Sequence, residues 1–589
     1  MTYAGMGSIP YAEGTAFRVW APHADGVAVT GDFDEWSATQ HTLTHEGDGY
    51  WYAEVPGAQP GQQYQFALTL GGETAYRIDP YARAVTNSIG NGIIVDPGVF
   101  DWAGDDFECP PHEDLVIYET HIGSFVGSDD SMGDLEGLAG KLDYLQTLGI
   151  NAIELMPLME FAGDYSWGYN PAHVFAVESS YGGPEALRAF IKEAHAHGIA
   201  VIIDVVYNHF GPSDLGLWQF DGWSENDKGG IYFYNDWRSS TPWGDTRPDY
   251  AREEVRRFIR DNALMWLREF HADGLRLDMT PYMRSVDGSG WDIDEGWSLM
   301  RWVAESVREE RPDAIVIAED LHGEMAVTST GPGGAAMHAQ WDNQFVHPMR
   351  AALTAADDGQ RSMAAVAGAI TAQYHHAFDR VVYTESHDEV ANGKARVPSE
   401  VAANNADGWA AQKLATLGAA LVLTTPGIPM LFQGQEFLED EWFRDSVPLD
   451  WERAEQFRDI VRMFRNLIWL RRNLGGDSAA LRGQHVKLLD VDEERKTVVF
   501  HRADDNGAHA IVAANFSARP VTGTIGMPGG PGRNWQVRFN SDASTYSSLF
   551  GDHATPEIVV NEDSSGHLDI GPYSLVIFTP ALPGPRPSS

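Results

Sequence analysis

Gly274-Leu-Arg-Leu-Asp278 is one of four short segments of this 589-residue chain in which an apolar run ends in ionisable residues. The other three are Asp204-Val-Val-Tyr-Asn-His209, Ile317-Ala-Glu-Asp320 and Glu385-Ser-His-Asp-Glu389. Buried strands that deliver polar groups to one rim of a parallel sheet or barrel have this pattern. An active site would lie at such a rim, because the polar groups of all four strands would meet there.

The sequence around these segments alternates between apolar strands and amphipathic helices from Leu115 onward. Strands are predicted at 115–118, 152–156, 200–206, 274–277, 314–318, 381–384 and 429–432, and helices near 135–148, 184–197, 254–271, 297–310 and 409–424. This alternation predicts a parallel sheet with helical crossovers. The strand count approaches eight, so the fold class is α/β and a (β/α)8 TIM-type barrel is favoured over an open sheet.

Short alternating strands, separated by turn residues, flank the barrel on both sides. They predict an N-terminal β-sandwich at 1–105 and a C-terminal β-sandwich at 473–580, around a catalytic barrel at 112–472. The segment near 210–248 is rich in Gly, Trp, Asp and Asn and is too long for a plain connection, which predicts an insertion over the site. The Pro- and Ser-rich tail 581–589 is predicted to be disordered.

The charge of the chain argues against several classes of partner. Its 41 basic and 85 acidic residues give a net charge of −44, which repels phosphate backbones and anionic lipid surfaces. Nucleic acid and membranes are therefore not expected as partners. An uncharged polymer such as a glucan feels no such repulsion, so the charge permits a glucan substrate without identifying it.

Cysteine content and hydropathy predict the location of the protein. Cys109 is the only cysteine, so no intrachain disulfide forms and no oxidising compartment is required. Residues 1–15 lack the features of a signal peptide, and the longest apolar tract, 414–423, is shorter than the roughly 20 residues that span a bilayer. These observations predict a cytoplasmic location, and they leave the oligomeric state open.

Asp278, Glu319 and Asp388 would bring three carboxylates to one rim, and glycoside cleavage requires a pair of carboxylates as nucleophile and proton donor. Residues two apart on a strand point to the same side, so Arg276 should lie beside Asp278. A neighbouring guanidinium favours the ionised carboxylate, which predicts a lowered pKa for Asp278. A purely structural Arg–Asp pair is the alternative interpretation.

Glu319 follows the apolar run 314–318, one β-α unit after Asp278, so its carboxyl group should enter the same cavity. An acid that holds its proton near neutral pH needs an apolar or anionic neighbourhood that raises its pKa. Asp278 and Asp388 would supply the anionic part. Asp320 is the competing acid, but on a regular strand it should point the other way.

The order and wording of the four segments resemble the α-amylase superfamily, glycoside hydrolase family 13, from about Leu115 to the C-terminus. The resemblance implies a retaining mechanism in which Asp278 is the nucleophile and Glu319 is the general acid and then the base. It also implies that Asp388 holds and distorts the sugar. His209 and His387 would donate hydrogen bonds to the same sugar ring, and Asp204 would organise the loop and Arg276.

The same resemblance makes Tyr169, in Trp167-Gly-Tyr169, a stacking platform under the sugar to be cleaved, with ordinary loop packing as the alternative. The insertion contains the aromatic residues Trp243, Trp223 and Tyr234. They could line further sugar positions, and the alternative is that they are structural packing residues. No cofactor and no metal are predicted. Family members often bind calcium through the equivalent of Asn208, but calcium takes six to eight oxygen ligands and the sequence offers no second acidic cluster.

The N-terminal words Phe17-Arg-Val-Trp-Ala-Pro22 and Gly31-Asp-Phe-Asp-Glu-Trp36 are similar to the sandwich that precedes the barrel in branching and debranching enzymes, a module often related to starch-binding domains. Trp36 or Trp51 could stack on sugar rings there, since an aromatic face suits the apolar face of a pyranose. The alternative is that these aromatic residues fill the core of the sandwich.

Two subfamilies compete for the reaction. Ser386-His-Asp-Glu389 with Gly393-Lys394, the strand Glu154-Leu-Met-Pro157 and the N-terminal sandwich are similar to glycogen branching enzymes, which cut α-1,4 chains and rejoin them as α-1,6 branches. By contrast, three other words are similar to maltooligosyltrehalose trehalohydrolase: Val206-Tyr-Asn-His-Phe-Gly-Pro212, Thr241-Pro-Trp-Gly244 and Asp261-Asn-Ala-Leu-Met-Trp-Leu267.

The fourth segment decides between them. Trehalohydrolases usually carry Asn-His-Asp-Gln at that place, and the segment is expected to lie against the bond being cut, so branching or a related α-glucan transfer is predicted. The alternatives are trehalohydrolase activity, plain α-1,4 or α-1,6 hydrolysis, and transfer to cyclic or short α-1,6-linked products. A non-catalytic glucan-binding protein is disfavoured, because all three carboxylates are intact.

Overall fold

The computed structural model describes residues 2–128 and 131–581. Of the tail that is predicted to be disordered, residues 582–589 lie outside the described residues.

The N-terminal region is a two-layer all-β domain. Its strands are β1 (Gly7–Tyr11), β2 (Gly14–Trp20), β3 (Gly26–Gly31), β4 (His41–Thr42), β5 (Thr44–Gly47), β6 (Tyr50–Pro56), β7 (Gln63–Leu70), β8 (Glu73–Arg77), β9 (Ala84–Val85) and β10 (Gly92–Ile93). One sheet has the order β1-β2-β6-β5, and the other has the order β4-β3-β7-β10-β9 with β8 paired to β7. Alternation along β2 turns Phe17 inward, and its ring lies 5.1 Å from that of Tyr64 on the facing sheet.

The central region contains the strands β11 (Ile117–Thr120), β12 (Ala152–Leu155), β13 (Met159–Phe161), β14 (Pro171–Val177), β15 (Ala200–Val205), β16 (Gly274–Leu277), β17 (Ile315–Ala318), β18 (Ala339–Trp341), β19 (Arg380–Val382) and β20 (Ile428–Phe432). Within the described residues, eight of them close into a parallel barrel in the order β11-β12-β15-β16-β17-β18-β19-β20. The strands β13 and β14 pair with each other in an antiparallel ladder. The predicted (β/α)8 barrel is confirmed.

Helices cover the outside of the barrel, and most of them bury one apolar stripe, as α4 does with Leu187, Phe190 and Ile191. The helices are α1 (Ile122–Phe125), α2 (Leu135–Ala139), α3 (Leu142–Leu148), α4 (Gly183–Ala196), α5 (Glu253–Arg268), α6 (Pro281–Arg284), α7 (Asp294–Glu310), α8 (Asn343–Thr354), α9 (Met363–Thr371), α10 (Val397–Val401), α11 (Trp409–Thr424), α12 (Glu452–Gln456) and α13 (Arg458–Arg471).

The C-terminal region is a second all-β domain, with β21 (His485–Asp492), β22 (Thr497–Ala503), β23 (His509–Asn515), β24 (Val521–Gly526), β25 (Asn534–Asn540), β26 (Glu557–Val559), β27 (Ser565–Ile570) and β28 (Ser574–Pro580). A sheet of order β21-β22-β23-β28-β25-β26 packs on the pair β24-β27 through a buried apolar cluster that includes Trp535 and Leu568. The domain is tied to α11 by a buried ion pair, in which Lys413 Nζ lies 2.6 Å from Asp542 Oδ1.

Two predicted elements differ from the structure. The strand β18 has no counterpart in the sequence prediction, because Gln340 interrupts the apolar residues of its sequence, Ala-Gln-Trp, whereas the equally short β19 begins the apolar run 381–383. The single helix predicted near 135–148 is two helices, α2 and α3, and α2 ends at Gly140. Glycine weakens a helix and favours its end, which explains the break.

The register of the barrel places the polar residues of the four segments. Asp204 on β15 pairs with Arg276 on β16, and Glu119 on β11 pairs with Glu154 on β12. Paired residues of parallel strands point to the same side, so each pair forms one level of the barrel interior. Asp278 and Glu319 follow the last residues of β16 and β17, which sets both acids at the carboxyl end of the barrel.

The insertion at 210–248 is ordered without long helices or strands. It contains 3-10 turns at Gly230–Tyr232 and Trp237–Ser239 and a bridge between Phe233 and Pro248. Buried aromatic rings fill it, and Tyr232 packs edge-on against Trp20 of the N-terminal domain at 5.6 Å. Among the described residues, no helix has both the length and the apolar character needed to cross a bilayer.

Candidate active site

A single buried guanidinium gathers three acids of the site. Arg276 Nη1 lies 2.7 Å from Asp204 Oδ2 and 3.2 Å from Asp278 Oδ1, and Nη2 lies 2.8 Å from Glu319 Oε2. The contact with Glu319 is a close ion pair without the alignment of a hydrogen bond. The structure therefore brings Asp204, Arg276, Asp278 and Glu319 together as the sequence analysis expected.

Asp278 is held at both of its carboxylate oxygens. Arg276 donates to Oδ1, and Asn208 Nδ2 donates to Oδ2 at 2.7 Å and to the Asp278 backbone carbonyl at 2.8 Å. Burial raises the pKa of Asp278 to about 6, although Arg276 lowers it, and the negative charge of Asp204 adds to the rise. The lowered pKa predicted from the Arg276 neighbour alone is thus wrong, because desolvation outweighs the guanidinium.

Glu319 has the higher pKa of the two acids. Burial raises its pKa to about 8, Arg276 opposes the rise, and the charges of Asp278 and Asp388 add to it. The Met279 backbone N–H donates to Glu319 Oε2 at 2.8 Å and fixes the carboxyl group. Asp320 points away, as expected, and forms a two-pronged ion pair with Arg284 at 3.0 and 3.1 Å.

His387 and Asp388 lie across the barrel mouth from Asp278, on the loop after β19. The side chain of Asp388 is 41% exposed, and its Oδ1 lies 3.6 Å from His387 Nε2. His387 Nδ1 lies 2.5 Å from Glu119 Oε1, and the His387 backbone N–H donates to Glu119 Oε2 at 3.2 Å. Burial lowers the pKa of His387, but the charges of Asp388 and Glu119 outweigh burial and raise the pKa to about 9. His387 is therefore a cation whose Nε2 lies beside the partly exposed Asp388 carboxylate.

Tyr169 connects the group of residues around Arg276 with His387. Its hydroxyl donates to Asp204 Oδ2 at 2.6 Å and accepts from Arg276 Nη1 at 3.2 Å. Its ring stacks on His387, with centroids 5.1 Å apart and 26° between the planes. A half-buried ring in this position is rigid, which is what a stacking platform requires.

His209 has a different role from the one expected. Both ring nitrogens are occupied within the protein: Nδ1 lies 2.7 Å from Asn208 Oδ1, and Nε2 lies 2.8 Å from the Tyr169 carbonyl. Burial lowers the pKa of His209 to about 4, although the Tyr169 carbonyl opposes this effect. The expectation that His209 donates to the sugar is wrong, because the side chain is fully buried and positions Asn208 and Tyr169 instead.

The model of the alpha amylase catalytic domain matches residues 121–235 and 217–512. Carbohydrate-binding module 48, the isoamylase N-terminal domain, matches 5–82, and the alpha amylase C-terminal all-beta domain matches 489–581. The chain belongs to the alpha-amylase family, glycoside hydrolase family 13.

Two relatives within this family are named 1,4-alpha-glucan branching enzyme GlgB. The protein of Salinibacter ruber is 31% identical, over 98% of this chain and 97% of its own, and that of Corynebacterium efficiens is 32% identical, over 97% and 79%. Among solved structures, pullulanase type I of Bacillus subtilis superposes with a TM-score of 0.77 at 23% identity, covering 99% of this chain and 86% of its own. The pullulanase of Anoxybacillus sp. LM18-11 gives a TM-score of 0.74 at 23% identity, covering 98% and 88%.

Glu119 and Glu154 of this alpha-amylase-family site were not predicted from the sequence as site residues, and Asn208 was considered only as a calcium ligand. Glu119 holds His387, Asn208 holds Asp278, and Glu154 is buried on β12 with neither carboxylate oxygen hydrogen-bonded to the protein. Burial raises the pKa of Glu154 well above its usual range, which keeps it neutral beside Glu119 and Asp204. A charged residue inside an apolar strand was the available signal for both glutamates.

The other aromatic candidates divide between the site and the core. Trp243 is 37% exposed and stacks on His209, with centroids 4.6 Å apart and 14° between the planes. Trp223 stacks on His23 of the N-terminal domain, and Tyr234 is buried, so both are packing residues. In the N-terminal module, Trp36 is 38% exposed, whereas Trp51 is half-buried and donates to the Ala21 carbonyl.

Glu389, which separated the two subfamily resemblances, does not face the reacting groups. Its Oε1 lies 2.8 Å from Lys394 Nζ, and its Oε2 lies 3.4 Å from Arg350 Nε. Of the segment that is expected to lie against the cleaved bond, His387 and Asp388 lie among the site residues, whereas Glu389 contacts Lys394 and Arg350 in the loop that carries Asp388. Among the residues that the structure describes, no three His, Cys, Asp or Glu side chains are arranged to hold a metal ion.

Proposed function

We propose that this protein is a retaining 1,4-α-glucan branching enzyme, which cleaves an α-1,4 linkage and rejoins the released chain through an α-1,6 linkage. The observation that carries the proposal is full-length similarity to the Salinibacter ruber enzyme of that name, at 31% identity over 98% of this chain and 97% of its own. The substrate would be an α-glucan, a polymer that the net charge of −44 does not repel.

The different pKa values of Asp278 and Glu319 assign the first half of the reaction. With pKa values of about 6 and about 8, Asp278 is ionised and Glu319 is protonated near pH 7. Asp278 attacks the anomeric carbon while Glu319 gives its proton to the departing glycosidic oxygen. The bond from that carbon to oxygen breaks, and a glucosyl ester forms on Asp278.

In the second half, Glu319 acts as a base. It takes the proton from the 6-hydroxyl of an acceptor glucan, and the resulting oxygen attacks the anomeric carbon of the glycosyl-enzyme. Asp278 leaves as a carboxylate, and an α-1,6 bond forms with retention. Water in place of the acceptor would give hydrolysis, so an acceptor held close to the ester decides the product.

The remaining residues hold the sugar whose bond is cleaved. The Tyr169 ring would stack under it, while Asp388 would accept hydrogen bonds from its hydroxyl groups and the His387 cation would donate one. The side chains of Arg276 and Tyr169 are held in place, because both donate hydrogen bonds to Asp204 Oδ2. These interactions are prepared before substrate binds, which favours the transition state over the ground state.

The test is to incubate the protein with amylose and to follow three products. We expect the iodine colour to fall while few new reducing ends form, and subsequent isoamylase digestion to release short chains. Reducing ends that rise in step with the loss of colour would identify a hydrolase. Trehalose released from maltooligosyltrehalose, with amylose untouched, would identify a trehalohydrolase. The cytoplasmic location stays a prediction that fractionation of the source cells would test.

A further inference from the structure

Four basic side chains lie close together on one face of the C-terminal sheet, and they are called here the cationic patch: Lys487, His501, His509 and Arg533. Lys487 on β21 is the direct partner of His501 on β22. His501 lies two residues before Ala503, which is the partner of His509 on β23. Paired residues point to the same side of a sheet, and so do residues two apart on a strand, so these three side chains share a face.

The two histidines of the cationic patch are in direct contact. Their rings stack with centroids 5.1 Å apart and 27° between the planes, and His501 Nε2 lies 3.1 Å from His509 Nδ1. Only one proton fits between these two nitrogens. The other ring nitrogens, Nδ1 of His501 and Nε2 of His509, have no hydrogen-bond partner in the part of the chain that the structure describes.

Arg533 joins the cationic patch from the start of β25. It lies two residues before Trp535, and its guanidinium is 5.3 Å from the Trp535 ring centroid. Its charge is close enough to His501 to lower the pKa of that ring. Lys487 is exposed and Arg533 is half-buried, so both charges can be reached from solvent.

The positive charges of the cationic patch are not balanced by acids. Within residues 2–128 and 131–581, no carboxylate forms an ion pair with any of its four members. Asp505, in the turn between β22 and β23, pairs with His485 instead, at 2.6 Å. Burial lowers the pKa of His501 to about 4, and the charges of the other three members and of Arg502 add to this effect. An anion bound among these groups would offset their mutual repulsion.

The net charge of the whole chain does not prevent such binding. At −44 it is strongly negative, so four neighbouring basic residues without a paired acid are a local exception. Charges in solution are screened over about 8 Å at physiological ionic strength, so the groups beside a bound anion outweigh distant acids. A long phosphate backbone would extend past the patch toward those acids, whereas a single anionic group would not.

We propose that the cationic patch binds a phosphate monoester, carried by a soluble sugar or by the glucan itself. Such a group has a charge of about −1.5 to −2 at pH 7 and three acceptor oxygens. Lys487 and Arg533 would donate to these oxygens, and a histidine nitrogen would donate a further hydrogen bond. The soluble source needs no assumption about the reaction, whereas the polymer source rests on the proposed function.

Glucose 6-phosphate is the probe for the soluble source, glucose is its neutral control, and binding is measured by titration calorimetry at low ionic strength. We expect Lys487→Gln and Arg533→Gln each to weaken the affinity for glucose 6-phosphate about tenfold, since each loses one charge-assisted hydrogen bond. Lys487→Arg keeps the charge and should bind as the wild type does. Arg519→Gln, which removes an exposed cation elsewhere in the same domain, is the matched control and should also keep the wild-type affinity.

Phosphorylated amylopectin, before and after phosphatase treatment, is the probe for the polymer source. The Asp278→Asn background keeps the glucan intact during affinity electrophoresis. If the polymer carries the recognised group, phosphatase should reduce the retardation, and adding Lys487→Gln should abolish that difference. Retardation that does not respond to phosphatase, with an affinity for glucose 6-phosphate that depends on Lys487 and Arg533, would assign the soluble source.

The inference is overturned if Lys487→Gln and Arg533→Gln change neither the affinity for glucose 6-phosphate nor the retardation that phosphatase removes. An equal loss in Arg519→Gln would also overturn it, because a general change of charge would then be the cause. If the wild-type protein forms no branches, the proposed function fails, and the calorimetry still decides whether the cationic patch binds phosphate.

Discussion

The opposed pKa values of Asp278 and Glu319 predict a bell-shaped pH profile that can be shifted on one side only. With values of about 6 and about 8, the form with Asp278 ionised and Glu319 protonated makes up about 80% of the enzyme at pH 7 and about 10% at pH 5 and pH 9. The acidic limb reports Asp278 and the basic limb reports Glu319. A change that acts on one acid should move one limb.

Asn208→Ala is such a change. It removes the 2.7 Å hydrogen bond from Nδ2 to Asp278 Oδ2, which favours the ionised carboxylate. A hydrogen bond to a charged group contributes about 1.5–3 kcal/mol, and one pKa unit is ~1.36 kcal/mol, so the pKa of Asp278 should rise by about 1–2 units. At pH 6 the ionised fraction would then fall from about a half to about a tenth or less.

The assay is kcat/KM on a maltooligosaccharide between pH 5 and 9, scaled to the optimum of each protein. We expect the Asn208→Ala variant to lose about fivefold more activity than the wild type at pH 6, with the basic limb in place. Asn506→Ala, in an exposed loop of the C-terminal domain, is the control and should keep the wild-type profile. A folded Asn208→Ala variant with an unshifted acidic limb would refute the assignment of that limb to Asp278.

Three further outcomes follow from the site. Asp278→Asn should lower turnover at least about 10³-fold while glycogen still retards the protein in affinity electrophoresis, and near-normal turnover would remove Asp278 as nucleophile. Burial favours protonated Glu319 in the folded state, so its contribution to stability is full below its ordinary pKa and is lost as pH rises toward 8. The Tm of Glu319→Gln relative to wild type should therefore rise from pH 5 to pH 8.5, and a constant difference would contradict this. Glu119→Gln should lower the pKa of His387 from about 9, so KM should increase between pH 7 and 8.5 in this variant and stay level in the wild type.

The neighbours of His387 determine what a change in the pH dependence of KM means for the Glu119→Gln variant. Asp388 and Glu119 raise its pKa, and the charge of Arg276 lowers it. Its ring packs on Tyr169, Trp167 and Trp341, none of which titrates near neutral pH. A shift in the KM profile of Glu119→Gln therefore reports the loss of one anion from this set, whereas a merely structural role for Glu119 would change KM equally at every pH.

The fold was largely predictable because most barrel strands lie in apolar runs that alternate with amphipathic helices along the chain. The strand β18 was not, since Gln340 interrupts its apolar residues, whereas the equally short β19 lies in a continuous apolar run. The acids of the site were predictable for a related reason: each ends a buried strand, and the carboxyl ends of parallel strands meet at one rim. Asp278 and Glu319 follow this rule directly, whereas Asp388 lies further along, on the loop after β19.

The burial and the hydrogen-bond partners of each site side chain could not be predicted from the sequence. Arg276 beside Asp278 suggested a lowered pKa for Asp278, yet burial of Asp278 raises this pKa although Arg276 opposes it, and burial is a property of the closed barrel rather than of the segment. The family resemblance suggests that His209 donates a hydrogen bond to the sugar, but its two ring nitrogens contact Asn208 and the Tyr169 carbonyl instead. A linear motif names the side chains and leaves their partners unspecified.

Glu119 and Glu154 show why the floor of the site is harder to find than its rim. Both lie inside strands, at one level of the barrel, and a carboxyl group there is costly unless it is paired or neutral. Glu119 is paired with His387, whereas Glu154 has no hydrogen-bond partner in the protein and is kept neutral by burial. If Glu154 were ionised, its charge would repel the charge of Glu119, which keeps His387 cationic. A neutral Glu154 therefore leaves the Glu119–His387 pair intact, and with it the proposed hydrogen-bond donor to the sugar.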